Sequence, residues 1–157
     1  MVQVKITING KEYAKDVEPR LLLVHFIRDV AKMKGPHVGC DTGHCGACTV
    51  LLNDKPIKSC QMFAVQADQE SITTVDGFAS DGNLSVEQEA FRNNFAIQCG
   101  YCTPGMVVMT RYLIRKYPNL TRDEIRDRLH GNYCMCTGYE QILNAVEEAH
   151  RKYWNKK

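Results

Sequence analysis

The sequence predicts an α+β protein, with strands in its first half and helices in its second half. Apolar and polar residues alternate over residues 2–8, which is the period of a half-buried strand. Asn9-Gly10, a strong signal for a tight hairpin turn, follows, and we expect the returning strand over residues 11–15. Beyond Leu84 the apolar residues recur every three or four positions, which is the period of a helix.

The rest of the first half is predicted to hold one helix and two more strands. Apolar residues after Pro19 recur at helix-like intervals over residues 21–29. Apolar content predicts a strand over residues 49–52, before a turn at Asn53-Asp54. β-branched residues predict a last strand over residues 71–75. The predicted order is therefore hairpin, helix, loop and further strands.

Four helices are predicted in the second half of the chain. Two of them begin with a capping box, in which Ser or Thr is followed three residues later by Gln or Glu. A third begins at a proline, which is favoured at the first helical position because its missing N–H would have no partner there. The four starts lie at Ser85, at Thr103-Pro104, at Thr121 and at the apolar series from Ile142. Helices of this length predict a small four-helix bundle.

A short polar segment separates the two halves. Residues 77–84 are rich in Gly, Asp and Asn, which favour turns over regular structure. We therefore predict a first domain over residues 1–76, a linker over residues 77–84 and a second domain over residues 85–157. The final residues, Lys156 and Lys157, are predicted to be a solvated terminus.

Eight cysteines form two quartets with different spacing. Cys40, Cys45, Cys48 and Cys60 make up the first quartet, and Cys99, Cys102, Cys134 and Cys136 make up the second. The first has the C-x4-C-x2-C spacing, with a fourth cysteine further on, that holds a plant-type [2Fe-2S] cluster. Such a cluster needs four thiolates, and interleaved glycines let backbone amides approach its sulfides. Together with the predicted strands and helix, this spacing describes a β-grasp ferredoxin domain.

The second quartet is predicted to lie at helix ends. Its first two cysteines precede the helix that begins at Thr103, and the other two lie between the third and fourth helices. Helix N-termini carry partial positive charge, so we expect them to stabilise thiolates and an anionic cluster. Each half would then be a small domain organised by its own metal centre.

Other uses of cysteine compete with iron–sulfur clusters. A disulfide framework is typical of small secreted domains, but the chain begins with a strand and shows no leader with a cleavage site. Four-cysteine zinc sites usually pair two C-x2-C motifs, which the second quartet resembles loosely and the first does not. His44, beside Cys45, raises the possibility of a Rieske centre, but four cysteines are already present and no second histidine has matching spacing.

Composition and charge fit a compact protein of the cytosol. Of 157 residues, 44% are hydrophobic and 24% are charged, and the formal net charge is +2. This near balance implies no nucleic-acid or membrane partner, and no apolar stretch approaches the ~20 residues that cross a bilayer. The cytosol, where thiols stay reduced, is the expected location. The sequence shows no nucleotide fingerprint and no nucleophile with a nearby base motif. Nothing in it therefore indicates substrate catalysis by this chain alone.

Three motifs resemble the iron–sulfur subunit of the molybdenum hydroxylases, the xanthine oxidase family. They run from Gly39 to Val50, from Gln98 to Gly105 and from Gly131 to Tyr139, and the resemblance covers nearly the whole chain. Within the family, residues 17–28 and 59–67 look most like the small subunits of carbon monoxide dehydrogenases and of their aldehyde-oxidising relatives.

The resemblance implies an electron relay inside a larger hetero-oligomeric enzyme. A large subunit would carry the molybdopterin that oxidises substrate, and a medium subunit would carry FAD. Electrons would pass from molybdenum through the second-quartet cluster and then the first-quartet cluster to FAD. In such enzymes the residue before the second quartet's first cysteine and that quartet's last cysteine touch the pterin; here they are Gln98 and Cys136. The Gln98 amide can both donate to and accept from a pterin edge.

One position departs from the family's pattern, and the substrate is not encoded in this chain. Met135 lies between the last two cysteines, where family members generally have arginine, and losing that cation is expected to lower the nearby cluster's potential. An aldehyde is the expected substrate of the complex, with carbon monoxide as the alternative. A free two-cluster ferredoxin is the alternative from another class, although free ferredoxins are usually strongly acidic.

Overall fold

A five-stranded mixed sheet lies in the first half of the protein, in a computed structural model that describes residues 1–155. The strands are β1 (Val2–Ile8), β2 (Lys11–Val17), β3 (Thr49–Leu52), β4 (Lys55–Lys58) and β5 (Ser71–Thr73). Their order across the sheet is β2-β1-β5-β3-β4, with β1 and β5 parallel and all other neighbours antiparallel. Lys156 and Lys157, predicted to be a solvated terminus, lie outside the described residues.

Two tight turns join the antiparallel strands. Asn9 and Gly10 have φ values of 51° and 80°, which is the backbone of a type I′ turn between β1 and β2. Asn53 and Asp54, at 46° and 63°, turn the chain in the same way between β3 and β4. The sequence does not predict β4, because Pro56 lacks a ladder N–H. The strand forms at the edge of the sheet, where proline is tolerated.

A short helix packs its apolar side against the sheet. Helix α1 (Leu23–His25) continues as one π-helical turn over Phe26–Val30, so it begins later than the predicted start at Leu21. Its apolar residues and those of the strands form one buried cluster. The largest fully buried members are Ile6, Ile8, Leu23, Phe26, Ile27 and Ile72.

Four helices occupy the described part of the second half. They are α2 (Val86–Asn93), α3 (Thr103–Lys116), α4 (Arg122–Arg128) and α5 (Glu140–Trp154). Both predicted capping boxes are present, with Ser85 and Thr121 accepting from the backbone N–H three residues later. Helix α5 contacts the three other helices. None of the helices within residues 1–155 has the length and apolar content needed to cross a membrane.

A buried ion pair joins two of the helices, and its arginine also contacts the predicted linker. Arg111 of α3 donates to both carboxylate oxygens of Glu87 on α2, at 3.1 and 3.2 Å. The guanidinium carbon of Arg111 also lies 3.4 Å from the ring centroid of Phe78. Burial raises the pKa of Glu87, but the bonds and the charge of Arg111 outweigh it, so that pKa is lowered overall. Phe78 thereby belongs to the helical core, although it lies in the predicted linker.

Candidate metal centres

The first quartet lies on the loop between α1 and β3 and on the turn after β4. Cys40, Cys45 and Cys48 come from the loop, and Cys60 comes from a 3₁₀ turn at Ser59–Gln61. Cys48 and Cys60 are buried, whereas Cys40 and Cys45 are half-buried. The thiols lie in two pairs, in which Cys45 contacts Cys40 and Cys48 contacts Cys60. The structure thus brings these four cysteines together.

Burial and backbone hydrogen bonds act in opposite directions on these thiols. The Cys45 backbone N–H donates to Cys40 Sγ at 3.3 Å, and this bond, together with bonds from Thr42, lowers the pKa of Cys40 to about 6. Burial raises the pKa of Cys48 to about 12. Because metals bind cysteine as the thiolate, Cys48 ionises only with a cation beside it. Cys40 is therefore ready as an anionic ligand, and Cys48 is not.

Two side chains outside the quartet hold its loop in place. Lys58 Nζ donates to Gly43 O at 2.6 Å. Gln61 Nε2 donates to Asp41 O at 3.2 Å and lies 3.4 Å from Cys60 Sγ. Neither role is evident from the sequence, because a lysine and a glutamine near a cysteine form no distinctive pattern. Hydrogen bonds of this kind to a ligand sulfur are a means of tuning a cluster's potential.

The second quartet lies where α3 begins and in the loop between α4 and α5. Cys99 and Cys136 are exposed, and their Sγ atoms are 3.5 Å apart. Cys102 and Cys134 are half-buried, and their thiols are in contact. Two thiolates on one tetrahedral metal lie about 3.8 Å apart, given metal–sulfur bonds of about 2.3 Å. The pair of exposed sulfurs is therefore spaced for a shared metal.

Burial and hydrogen bonding act differently on the two half-buried thiols of the second quartet. Cys102 is the N-cap of α3, yet burial raises its pKa to about 12. Burial also acts to raise the pKa of Cys134, but the Thr137 hydroxyl donates to its Sγ at 3.2 Å, and that pKa is lowered overall. Desolvation prevails at Cys102, whereas hydrogen-bond donors prevail at Cys134.

The thiols of each quartet contact one another in pairs. A structural zinc site gathers four ligands around one point. Within residues 1–155, no three cysteine, histidine or acidic side chains converge to hold a single ion. All eight cysteines are free thiols, and each quartet divides into two pairs. This donor set fits [2Fe-2S] clusters, which take four cysteine ligands for two irons.

The predicted pterin contacts lie at the exposed edge of the second quartet. Gln98 and Cys136 are both exposed, and Gln98 adjoins Cys99, whose sulfur contacts Cys136. Met135 is 97% exposed.

The two quartets meet at a contact between the halves of the chain. Tyr133, from the second-quartet loop, donates its backbone N–H to Cys45 O at 2.8 Å. The Tyr101 hydroxyl donates to Val38 O at 2.8 Å, and its ring stacks on His37 with centroids 4.6 Å apart. Residues from both loops line a cavity of about 280 Å³ at this contact. The structure thus places the two candidate centres side by side.

Each half of the chain matches a known protein family. Residues 6–74 match the family described as a 2Fe-2S iron-sulfur cluster binding domain. Residues 74–147 match the family described as a [2Fe-2S] binding domain. The fold and the site therefore define an iron–sulfur electron-transfer protein with two [2Fe-2S] domains.

Proteins similar to this chain are oxidoreductases or subunits of oxidoreductases. Caffeine dehydrogenase subunit gamma of Pseudomonas sp. (strain CBB1) is 42% identical over 147 residues, covering 92% of this chain and 88% of that protein. Aldehyde oxidoreductase iron-sulfur-binding subunit PaoA of Escherichia coli (strain K12) is 36% identical over 159 residues, covering 92% and 69%. The crystal structure of quinoline 2-oxidoreductase from Pseudomonas putida 86 matches with a TM-score of 0.94 and 40% sequence identity. The match covers 99% of this chain and 96% of the matched chain. The chain belongs to the iron–sulfur subunits of the molybdenum hydroxylase family, and it serves electron transfer in such a complex.

Proposed function

We propose that this chain relays electrons from a molybdopterin subunit to an FAD subunit of one complex. Cys40, Cys45, Cys48 and Cys60 would hold the first [2Fe-2S] cluster, and Cys99, Cys102, Cys134 and Cys136 the second. Such clusters supply one-electron storage, so that the two electrons of a substrate oxidation leave in single steps. The observation that carries the proposal is the direct contact between the loops that hold the two quartets, one of which has exposed sulfurs.

The exposure of the sulfurs supports a direction for the relay. Cys99 and Cys136 are open to a partner surface, and Gln98 stands beside them with an amide suited to a pterin edge. We therefore place the molybdopterin subunit at this edge, in contact with Gln98 and Cys136. In the first quartet Cys45 faces the second quartet, and we place FAD on the side of the half-buried Cys40.

We further propose two domains and a cytoplasmic location. The proposed units are a β-grasp ferredoxin domain over residues 1–76, a linker over residues 77–84 and a four-helix bundle over residues 85–157. Two separate buried clusters support this division, one built from the sheet with α1 and the other from the helices. Eight free thiols suit the reducing cytoplasm.

The substrate proposed for the complex is an aldehyde, and the similarity to the Escherichia coli aldehyde oxidoreductase subunit supports this. Nitrogen-containing aromatic compounds are a second candidate, because the relatives named for caffeine and quinoline are 42% and 40% identical to this chain. Both classes are oxidised in the partner's pocket and leave the relay unchanged.

Purification of the complex through an affinity tag on this chain tests the relay. We expect molybdenum, FAD and two [2Fe-2S] clusters per chain, with two distinct electron paramagnetic resonance (EPR) signals on reduction. A chain that purifies with both clusters but without molybdenum or FAD would refute the relay and favour a free ferredoxin. A colourless, zinc-loaded protein would refute the clusters themselves.

A substrate screen on the same complex separates the two substrate classes. Bleaching of the cluster absorbance by aldehydes, and not by quinoline or caffeine, is the expected result. The reverse pattern would overturn the aldehyde proposal and retain the relay.

A further inference from the structure

We infer that Asn132 is a positioning residue that holds the two cysteine loops at a fixed separation, an inference that rests on the proposed relay. Asn132 lies two residues before Cys134 of the second quartet, and Gly46 lies next to Cys45 of the first. Asn132 is only 4% exposed. Its Nδ2 donates to Gly46 O at 3.0 Å, so one buried amide connects the two loops.

Asn132 is itself held from both halves of the chain. Its backbone N–H donates to Leu129 O at 2.8 Å, just after α4. Its Nδ2 also donates to Thr49 Oγ1 at 3.3 Å, at the start of β3. Thr49 in turn donates its hydroxyl to Gly46 O at 2.7 Å. The Gly46 carbonyl therefore has donors from both halves, and the Asn132 bond crosses between them.

The backbone around Gly46 packs closely against the backbone of the second half of the chain. Gly46 has a φ of +72°, and a Cβ on it would lie 2.2 Å from Gly131 O. A Cβ on Gly105, in the first turn of α3, would lie 2.2 Å from Gly46 O. Because backbone atoms make both contacts, the Gly46 loop packs directly against the second half of the chain. A change at the Asn132 side chain therefore reaches both loops.

The separation of the loops matters because electron transfer between two centres slows steeply as their distance grows. Tyr133, which follows Asn132, donates its N–H to Cys45 O at 2.8 Å, and this bond requires the same placement of the loops. Removing the Asn132 amide takes away no cysteine ligand, but it loosens the contact between the two loops that carry the cysteines. A merely structural role would lower stability without changing the coupling between the centres.

The test compares Asn132→Leu with Asn144→Leu, a matched substitution on the exposed face of α5, in this chain purified with its clusters and partners. Dithionite reduces both clusters, and EPR then measures the magnetic splitting between them. We expect Asn132→Leu to retain the iron content and both signals but to lose part of the splitting. Asn144→Leu should keep the wild-type splitting. An unchanged splitting in Asn132→Leu would overturn the inference.

Asn132→Ser keeps the experiment decisive if leucine prevents assembly, because serine removes the amide without adding bulk. A wild-type splitting in the serine variant would overturn the inference. So would loss of the clusters from both variants, since a positioning role leaves each quartet intact. Failure of the relay itself appears separately, as a chain that lacks molybdenum and FAD while its two clusters remain magnetically coupled.

Discussion

Replacing Arg111 with methionine should strongly destabilise the helical half. Glu87 and Arg111 have side chains that are 2% and 12% exposed, and they share two hydrogen bonds. Removing one partner of such a pair leaves a buried charge without compensation, which costs about 3–5 kcal/mol. Since about 1 kcal/mol shifts the Tm of a protein of 157 residues that unfolds as one unit by about 2–4 °C, the expected fall in Tm is roughly 10 °C.

The pH dependence of this loss follows from the pKa of Glu87. In the wild type, burial raises that pKa but Arg111 lowers it further, so the folded value lies below the unfolded value. The ion pair then stabilises the protein above an unfolded pKa of about 4.3, and the benefit is lost as pH falls through the lower folded pKa. In Arg111→Met burial dominates and the folded pKa of Glu87 lies above the unfolded one. The stability that Arg111→Met loses relative to the wild type should therefore be smaller at pH 5 than at pH 8.

Thermal unfolding followed by circular dichroism, at equal iron content, measures both effects. Arg126→Met is the matched control, because its pair with Asp123 is 55% and 84% exposed and such pairs contribute about 0–1 kcal/mol. The double change Arg111→Met with Glu87→Leu should recover most of the lost stability, since no buried charge remains. A loss below about 1 kcal/mol in Arg111→Met, or a deficit that grows on acidification, would refute this account.

Three further predictions concern the clusters and one helix cap. Thr137→Val removes the hydroxyl bond to Cys134 Sγ, and at about 1 kcal/mol the second cluster's potential should fall by about 40 mV in a redox titration. Thr137→Ser should keep the potential, and an equal fall in both variants would contradict the role of the hydroxyl. Cys102→Ser should remove one EPR signal and Cys48→Ser the other; loss of both signals from either variant would argue against independent centres. Thr121→Ala should cost about 1 kcal/mol in urea unfolding, because it removes the N-cap of α4, and an unchanged midpoint would contradict this.

Local sequence signals were sufficient for most of the secondary structure. Asn9-Gly10 predicts its turn because both residues tolerate positive φ, and the boxes at Ser85 and Thr121 predict helix starts because each cap bonds a backbone N–H three residues away. The signals failed where the surroundings decided the conformation. Strand β4 forms despite Pro56 because it lies at the sheet edge, and the helix beginning at Leu23 continues into a π-helical turn that no pattern in the sequence indicated.

The sequence by itself determined that the chain holds two unlike sets of four cysteines, because ligand spacing along a loop is a local property. Only the tertiary structure decided which thiols pair, how burial and hydrogen bonding set their pKa values, and how the two sets meet. Asn132 reaches Gly46 across 86 positions of the chain, and Arg111 finds Glu87 across 24. Such contacts follow from the packing of whole elements, since distance along the chain does not encode them. The spacing of the cysteines is thus visible in the sequence, whereas the contact between the two cysteine loops, on which the proposed relay depends, arises from the fold.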